Sequence, residues 1–187
     1  MSRKILSLLG ISILIVGCGV DNPFSIIEED MSNKGTAFYI DSAVEGVTVQ
    51  CRSTVTTTDK DGAFIYEVGQ SCNFLIGDIL LAKHGGITKN KMVIEDNIEV
   101  AQFLQSLDND NYAVNGITIT PETTNRLISM GINSVPTTQD ELASIISKLQ
   151  QSNIGFGGDV VNKEDAQAHI NWTKKIINNI PYFEIER

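Results

Sequence analysis

The sequence predicts an α+β chain: a small antiparallel β-sandwich over about residues 36–80, followed by an α-helical bundle of about four helices. Three observations carry this. Residues 35–77 consist of short β-branched and aromatic runs punctuated by turn residues. Residues 94–187 place apolar side chains at helical spacing behind helix-capping signals. Residues 1–18 follow neither pattern and read as an export signal. Strands first and helices after, rather than in alternation, is the signature of α+β.

The totals narrow the possibilities. At 187 residues and 42% hydrophobic, the chain suits one compact unit or two small ones and excludes wholesale disorder. Its net charge is −9. Loss of residues 1–17 removes Arg3 and Lys4 and leaves 12 basic against 23 acidic residues, or −11. That field repels phosphate backbones and argues against nucleic-acid binding.

The chain opens MSRKILSLLGISILIVGC. Arg3 and Lys4 supply a positive start, and Ile5 to Val16 is apolar apart from Ser7, Gly10 and Ser12. The run falls short of the ~20 apolar residues that span a bilayer, but it suits the core of a signal peptide. Its end, Leu14-Ile15-Val16-Gly17-Cys18, resembles the lipobox of bacterial lipoproteins. That resemblance implies cleavage before Cys18, diacylglycerol on its sulfur and an acyl chain, such as palmitate, on its new amine. Several acyl chains hold a protein stably to a membrane where one does not. Gly19 stands where Asp, in such lipoproteins, favours retention at the inner membrane, so the resemblance implies an outer-membrane location, on either face. Residues 18–34, interrupted by Asp, Asn, Pro and Ser, read as a lipid-anchored tether.

Residues 35–93 form the expected β module. Thr36–Ile40, Val44–Val49, Ser53–Thr58, Ala63–Tyr66 and Cys72–Ile76 are the strand candidates, for a sandwich or barrel. Asp59-Lys60-Asp61-Gly62 reads as a tight hairpin turn, with Gly62 supplying positive φ. Residues 78–93, with Lys83, Lys89 and Lys91, read as a solvated loop carrying a small basic patch. The runs Ile40-Asp41-Ser42-Ala43-Val44-Glu45-Gly46-Val47, Thr58–Tyr66 and Gly69–Gly77 resemble a β module of bacterial lipoproteins and surface proteins. In outline it is similar to carboxypeptidase-regulatory-like, transthyretin-type sandwiches. Leu104–Asp110 and Asn115-Gly116-Ile117 extend the resemblance to about residue 120. It implies a spacer, adhesive or stabilising unit and no catalytic residue.

Cys51 and Cys72 are the two cysteines left after Cys18. In an oxidising compartment they are most simply a disulfide, two free buried thiols being the alternative. Closing the loop between them would stabilise the fold by about 3 kcal/mol in the chain-entropy model.

Residues 94–187 form the helical region. Asp96–Glu99 reads as a capping box before Val100, Phe103, Leu104 and Leu107. Thr120-Pro121 starts a helix that Gly131 stops, and Thr138–Glu141 caps another over Leu142, Ile145, Ile146 and Leu149. Asn162–Asp165 opens the last, with Ala166, Ile170, Thr173, Ile177 and Ile180 as its apolar set.

Chemistry-bearing motifs are sparse. Asp108, Asp110 and Asn115 resemble the start of a calcium loop, a candidate Ca2+ site. Tyr112 stands where a third oxygen is wanted and Ile119 replaces the bidentate Glu, so a polar turn is the competing reading. Asp59 and Asp61 are weaker candidates of the same kind. His84 and His169 lie in unrelated contexts with no nucleophile or carboxylate paired to either by sequence. Gly155–Gly158 lacks the strand and lysine of a phosphate loop. Trp172 and Tyr182 are core or contact aromatics. The sequence therefore points to a lipid-anchored, non-enzymatic cell-envelope protein that binds a protein or glycan partner or serves a structural role. A calcium-stabilised adhesive module and an envelope enzyme with scattered site residues are the alternatives.

Overall fold

A computed structural model describes residues 33–179. Cys18, the signal and tether before residue 33, Ile180 and Tyr182 lie outside the described residues. The described chain is mixed α+β: strands in three sheets, which do not close into a barrel among the described residues, and four α-helices.

The strands are β1 (Lys34–Ile40), β2 (Val44–Glu45), β3 (Thr48–Cys51), β4 (Thr54–Thr57), β5 (Ala63–Glu67), β6 (Cys72–Ile76), β7 (Ile79–His84), β8 (Met92–Ile94) and β9 (Ile117–Thr118). One sheet has the order β4-β3-β6-β7 and is antiparallel throughout. The second is β5-β1-β8, and the third pairs β2 with β9. Alternation of side chains selects the inner faces: Val49 and Cys51 on β3, and Cys72, Phe74 and Ile76 on β6, are buried. Tyr39 of β1 stacks on Phe74 at 4.7 Å between ring centroids, and Phe64 of β5 meets the same ring edge-on at 5.2 Å. Aromatic pairs of this kind add about 0.5–1.5 kcal/mol each to the area they bury. Cys51 and Cys72 are bonded and sit directly opposite one another in the β3–β6 ladder.

The strands depart from the sequence expectation in three places. β8 runs parallel to β1, and β9 parallel to β2, so the pairing is not wholly antiparallel. Residues 79–84, expected in a solvated loop, form β7, because Ile79 and Leu81 alternate inward while Leu80 and Lys83 face out. The turn at Asp59–Gly62 does not join a hairpin. β4 pairs with β3 and β5 with β1, so this turn carries the chain from one sheet to the other. Gly62 has φ +72° and its carbonyl accepts the Tyr39 amide, which fixes the corner.

The helices are α1 (Ile98–Ser106), α2 (Pro121–Ser129), α3 (Gln139–Gln150) and α4 (Lys163–Asn179). Thr120 caps α2 with Pro121 at its first position, and Thr138 and Glu141 form the capping box of α3. α1 is capped differently from the expectation. Asn97, not Asp96, accepts the Glu99 and Val100 amides, because the Glu95 carboxylate has already taken the Asn97 amide. α1 and α3 share one hydrophobic core with the strands, in which Phe103, Leu104, Leu107, Leu142 and Leu149 join Val44, Phe74 and Ile76. α4 lays Ala166, Ile170 and Thr173 inward.

The join between strands and helices runs through Gly46. Ala43 and Glu45 carbonyls accept the Ile117 and Ile119 amides, and the closest point of this contact has Gly46 pressed on the Ile119 carbonyl. Gly46 has φ +92°, a region closed to most L-residues, and a Cβ there would run into that carbonyl. Gly46→Ala is expected to destabilise the protein by about 2–4 kcal/mol in urea unfolding, far more than an exposed glycine such as Gly69 would show for the same change.

Candidate functional site

Tyr39, Asp41, Glu95, Gln105 and His169 come together at the seam where β1 and β2 meet α1 and α4. Asp41, just beyond β1, is fully buried. Its Oδ2 accepts a hydrogen bond from Gln105 Nε2 at 2.8 Å, and its Oδ1 has no hydrogen-bond partner. Beside it, Tyr39 donates to Glu95 Oε2 at 2.6 Å. Burial pushes the Asp41 carboxyl up to about 7, with the Gln105 hydrogen bond opposing and the Glu95 charge reinforcing the shift. Burial likewise raises Glu95 and Tyr39.

His169 of α4 closes over this acid. Its Nε2 lies 3.0 Å from Ser42 Oγ, 3.3 Å from the Asp41 backbone carbonyl and 3.9 Å from Asp41 Oδ1. Burial lowers its pKa below the usual histidine range. No local pattern joins His169 to Ser42 and Asp41, which are more than 120 residues away. The geometry differs from that of a hydrolytic triad, in which acid and nucleophile take opposite ring nitrogens. Here both face Nε2. The carbonyl contact calls for a proton on Nε2, whereas a hydroxyl proton donated by Ser42 calls for the other tautomer; acid, serine and carbonyl all share one nitrogen, so the relay through two ring nitrogens is not built. The cluster reads as a structural clasp between α4 and the β1–β2 turn, with Ser42 held at φ +61°.

Above the clasp opens an apolar groove of about 190 Å3, lined by Ile40, Ser42, Val114, Trp172, Ile176 and Ile177. Trp172 is 39% exposed, Ile176 44% and Val114 49%, and the Trp172 ring lies 5.5 Å from that of His169. Trp172 therefore belongs to an exposed contact patch rather than to the core. A second groove, about 370 Å3, separates β2 and β3 from the start of α2. Its lining is rich in hydroxyls, including Thr48, Thr57, Thr118 and Thr120 beside Glu45 and Asn125.

The calcium candidates do meet in one loop, but their donors are already engaged. Asp108, buried, accepts the Thr118 amide on Oδ1 and the Tyr112 amide on Oδ2. Asp110 accepts the Tyr112 amide and the side-chain amide of Asn115, so Asn115 turns its N–H, not its oxygen, toward the acid. Burial, with Asp110 nearby, raises Asp108, while the Asn115 hydrogen bond lowers Asp110. Asp59 likewise accepts the Asp61 and Ala63 amides, and Asp61 pairs with Lys60. Among the described residues no group of three or more His, Cys, Asp or Glu side chains could hold a metal ion. Gly157 and Gly158 lie against the Asn109 and Ser106 carbonyls, so the glycine loop packs on the end of α1. His84 packs edge-on against Phe74 at the end of β7.

Two outcomes follow from this geometry. Asp108→Ala is expected to lower stability by about 1–3 kcal/mol, equally in calcium and in chelator, since it removes the carboxylate that holds the Thr118 amide and one of the two that hold the Tyr112 amide. The Asp41 acid binds its proton to a higher pH in the folded state than in the unfolded chain. Its contribution therefore falls as pH rises from about 4 to about 7 and is constant above that. Urea titrations over this range should show Asp41→Asn losing less stability than wild type, by up to about 4 kcal/mol. Glu95 and His169, present in both proteins, cancel in that difference. No family model, curated protein or solved structure matches the chain, so its motifs and geometry carry the functional reading.

Proposed function

We propose that this chain is a non-enzymatic, lipid-anchored protein of the cell envelope, attached to the outer membrane through Cys18, that binds a protein partner. A small β-sandwich, its two larger sheets packed around Tyr39, Phe64 and Phe74, carries the helices on one end as a binding head. The observation that carries the reading is the Trp172 groove. Tryptophan and isoleucine exposed side by side along a groove, over a rigid buried clasp, have the makeup of an interaction hot spot. Signal, lipobox and disulfide fit an exported chain. No helix among the described residues is long and apolar enough to cross a membrane, so attachment through Cys18 is the anchor this reading requires.

The hydroxyl-lined groove favours a second reading, a glycan ligand. Threonine and asparagine side chains both donate and accept, as sugar hydroxyls require. The calcium-stabilised module is the less favoured reading, because Asp108 and Asp110 spend their oxygens on the chain itself.

The test is affinity capture from cross-linked cells, comparing the tagged chain with Cys18→Ser and with Trp172→Ala/Ile176→Ser. The reading expects a partner that is retained by the wild type and lost from the groove variant, whose melting temperature stays within about 2 °C of wild type because both side chains are partly exposed. It also expects Cys18→Ser to lose membrane association. Capture unaffected by the groove variant contradicts the reading.

A further inference from the structure

We propose that the end of the strands where the chain enters is a docking surface for anionic phospholipid headgroups; this rests on the lipid anchor at Cys18. The strand directions define that end. Asn33 accepts the Val68 amide, and Lys34 stands opposite Glu67. The Glu67 carboxylate receives the amide and hydroxyl of Ser53, so the β3–β4 turn with Arg52 lies at the same end. Cys51 is opposite Cys72 and Cys72 opposite His84, which places the end of β7 there with Lys83. The segment after β7 returns along β1: the Asn90 amide donates to Thr36 and the Phe38 amide to Lys91. Asn90 and Lys91 therefore lie alongside Thr36 to Phe38 in the middle of β1, with Lys89 next to them in the chain.

Lys34, Arg52, Lys83, Lys89 and Lys91 thus collect around the entry point. Among the described residues these contacts bring the Glu67 carboxylate to the same end, where it is already bonded by Ser53 and Thr54. Arg52, Lys83, Lys89 and Lys91 are exposed, and none forms an ion pair among the described residues. The acids on the turns at 41–45, 59–61 and 78 lie at the other end, where the helices join, whereas Asp96 pairs with Lys174 and is near enough to His84 at the end of β7 to act on it. Of the eleven described Lys and Arg residues five are thus gathered at the entry end, and the other six lie elsewhere in the fold, three of them paired with acids.

This distribution has a direct electrostatic consequence beside a membrane. Each cation within a Debye length of an anionic surface is attracted, and the acidic far end is repelled. Both effects turn the domain the same way up. Residues 18–32 between the lipid and Asn33 reach at most about 50 Å when extended, so the entry end stays within reach of the headgroups. Attachment makes the encounter intramolecular, which lets a patch too weak to recruit the protein orient it. The Trp172 groove then points away from the bilayer.

The test uses the acylated full chain reconstituted in vesicles, with a fluorophore on Thr88→Cys or, as the far-end control, Gln151→Cys. Energy transfer to a headgroup acceptor is compared between pure phosphatidylcholine and vesicles with 30% phosphatidylglycerol. The proposal expects transfer from position 88 to rise at least about twofold with phosphatidylglycerol, and transfer from position 151 to fall. The rise should vanish in 0.5 M salt and in Arg52→Gln/Lys83→Gln/Lys89→Gln/Lys91→Gln, but persist in Arg126→Gln/Lys148→Gln. Protein retained on both vesicles with equal transfer overturns the docking surface and leaves the anchor standing. Protein washed from both overturns the anchor, and the docking surface with it. A rise that survives the fourfold change would assign the effect to other residues and also overturn the proposal.

Discussion

The parallel pairing of Val44–Glu45 with Ile117–Thr118 is the contact on which the fold depends. Only two residues on each side take part, yet the pairing bonds the strands to the segment between α1 and α2. It needs a backbone with no side chain at Gly46, because the Ile119 carbonyl occupies that space. The same close approach aligns Asp41 with Gln105, and lets Asp108 reach the Thr118 amide. A chain that lost this pairing would leave Val44, Ile117 and Ile119 exposed along with the buried acids beneath them. An uncompensated buried carboxylate is costly, so the seam is expected to form cooperatively or not at all.

Much of this was legible in the sequence, and the illegible part has identifiable causes. Helix starts at Thr120, Thr138 and Asn162 were readable because capping is a local interaction within one turn. The α1 cap was misread by one residue because Glu95, shared with buried Tyr39, competes for the Asn97 amide. β7 was hidden because the apolar triplet Ile79-Leu80-Leu81 shows no alternation and runs into Lys83-His84-Gly85-Gly86, while its partner β6 decides its conformation. The two parallel pairings could not be read, since parallel partners are far apart in sequence and carry no turn signal. Likewise the disulfide followed from compartment and cysteine count, whereas the His169–Ser42–Asp41 clasp had no local signature. The calcium-like spacing of Asp108, Asp110 and Asn115 was real, but spacing does not reveal that backbone amides already fill those oxygens.

The buried acids at the seam explain why a binding head would be built on this end. Asp41, Glu95 and Gln105 lock α1 to the β1–β2 corner, and His169 locks α4 over them. A groove walled by α4 therefore rests on a support with few ways to relax, which lowers the ordering cost of binding. At the opposite end the chain exposes Arg52, Lys83 and Lys89, cations of the surface proposed to face the membrane.

The central claim is that the two ends of this molecule have different partners, and photocross-linking in intact cells tests it most directly. A photoreactive residue placed at Ile176 should yield a discrete adduct with another protein, while one placed at Lys89 should label lipid and no protein. A protein adduct from residue 89 with none from residue 176 would contradict the account and reverse the orientation it assigns.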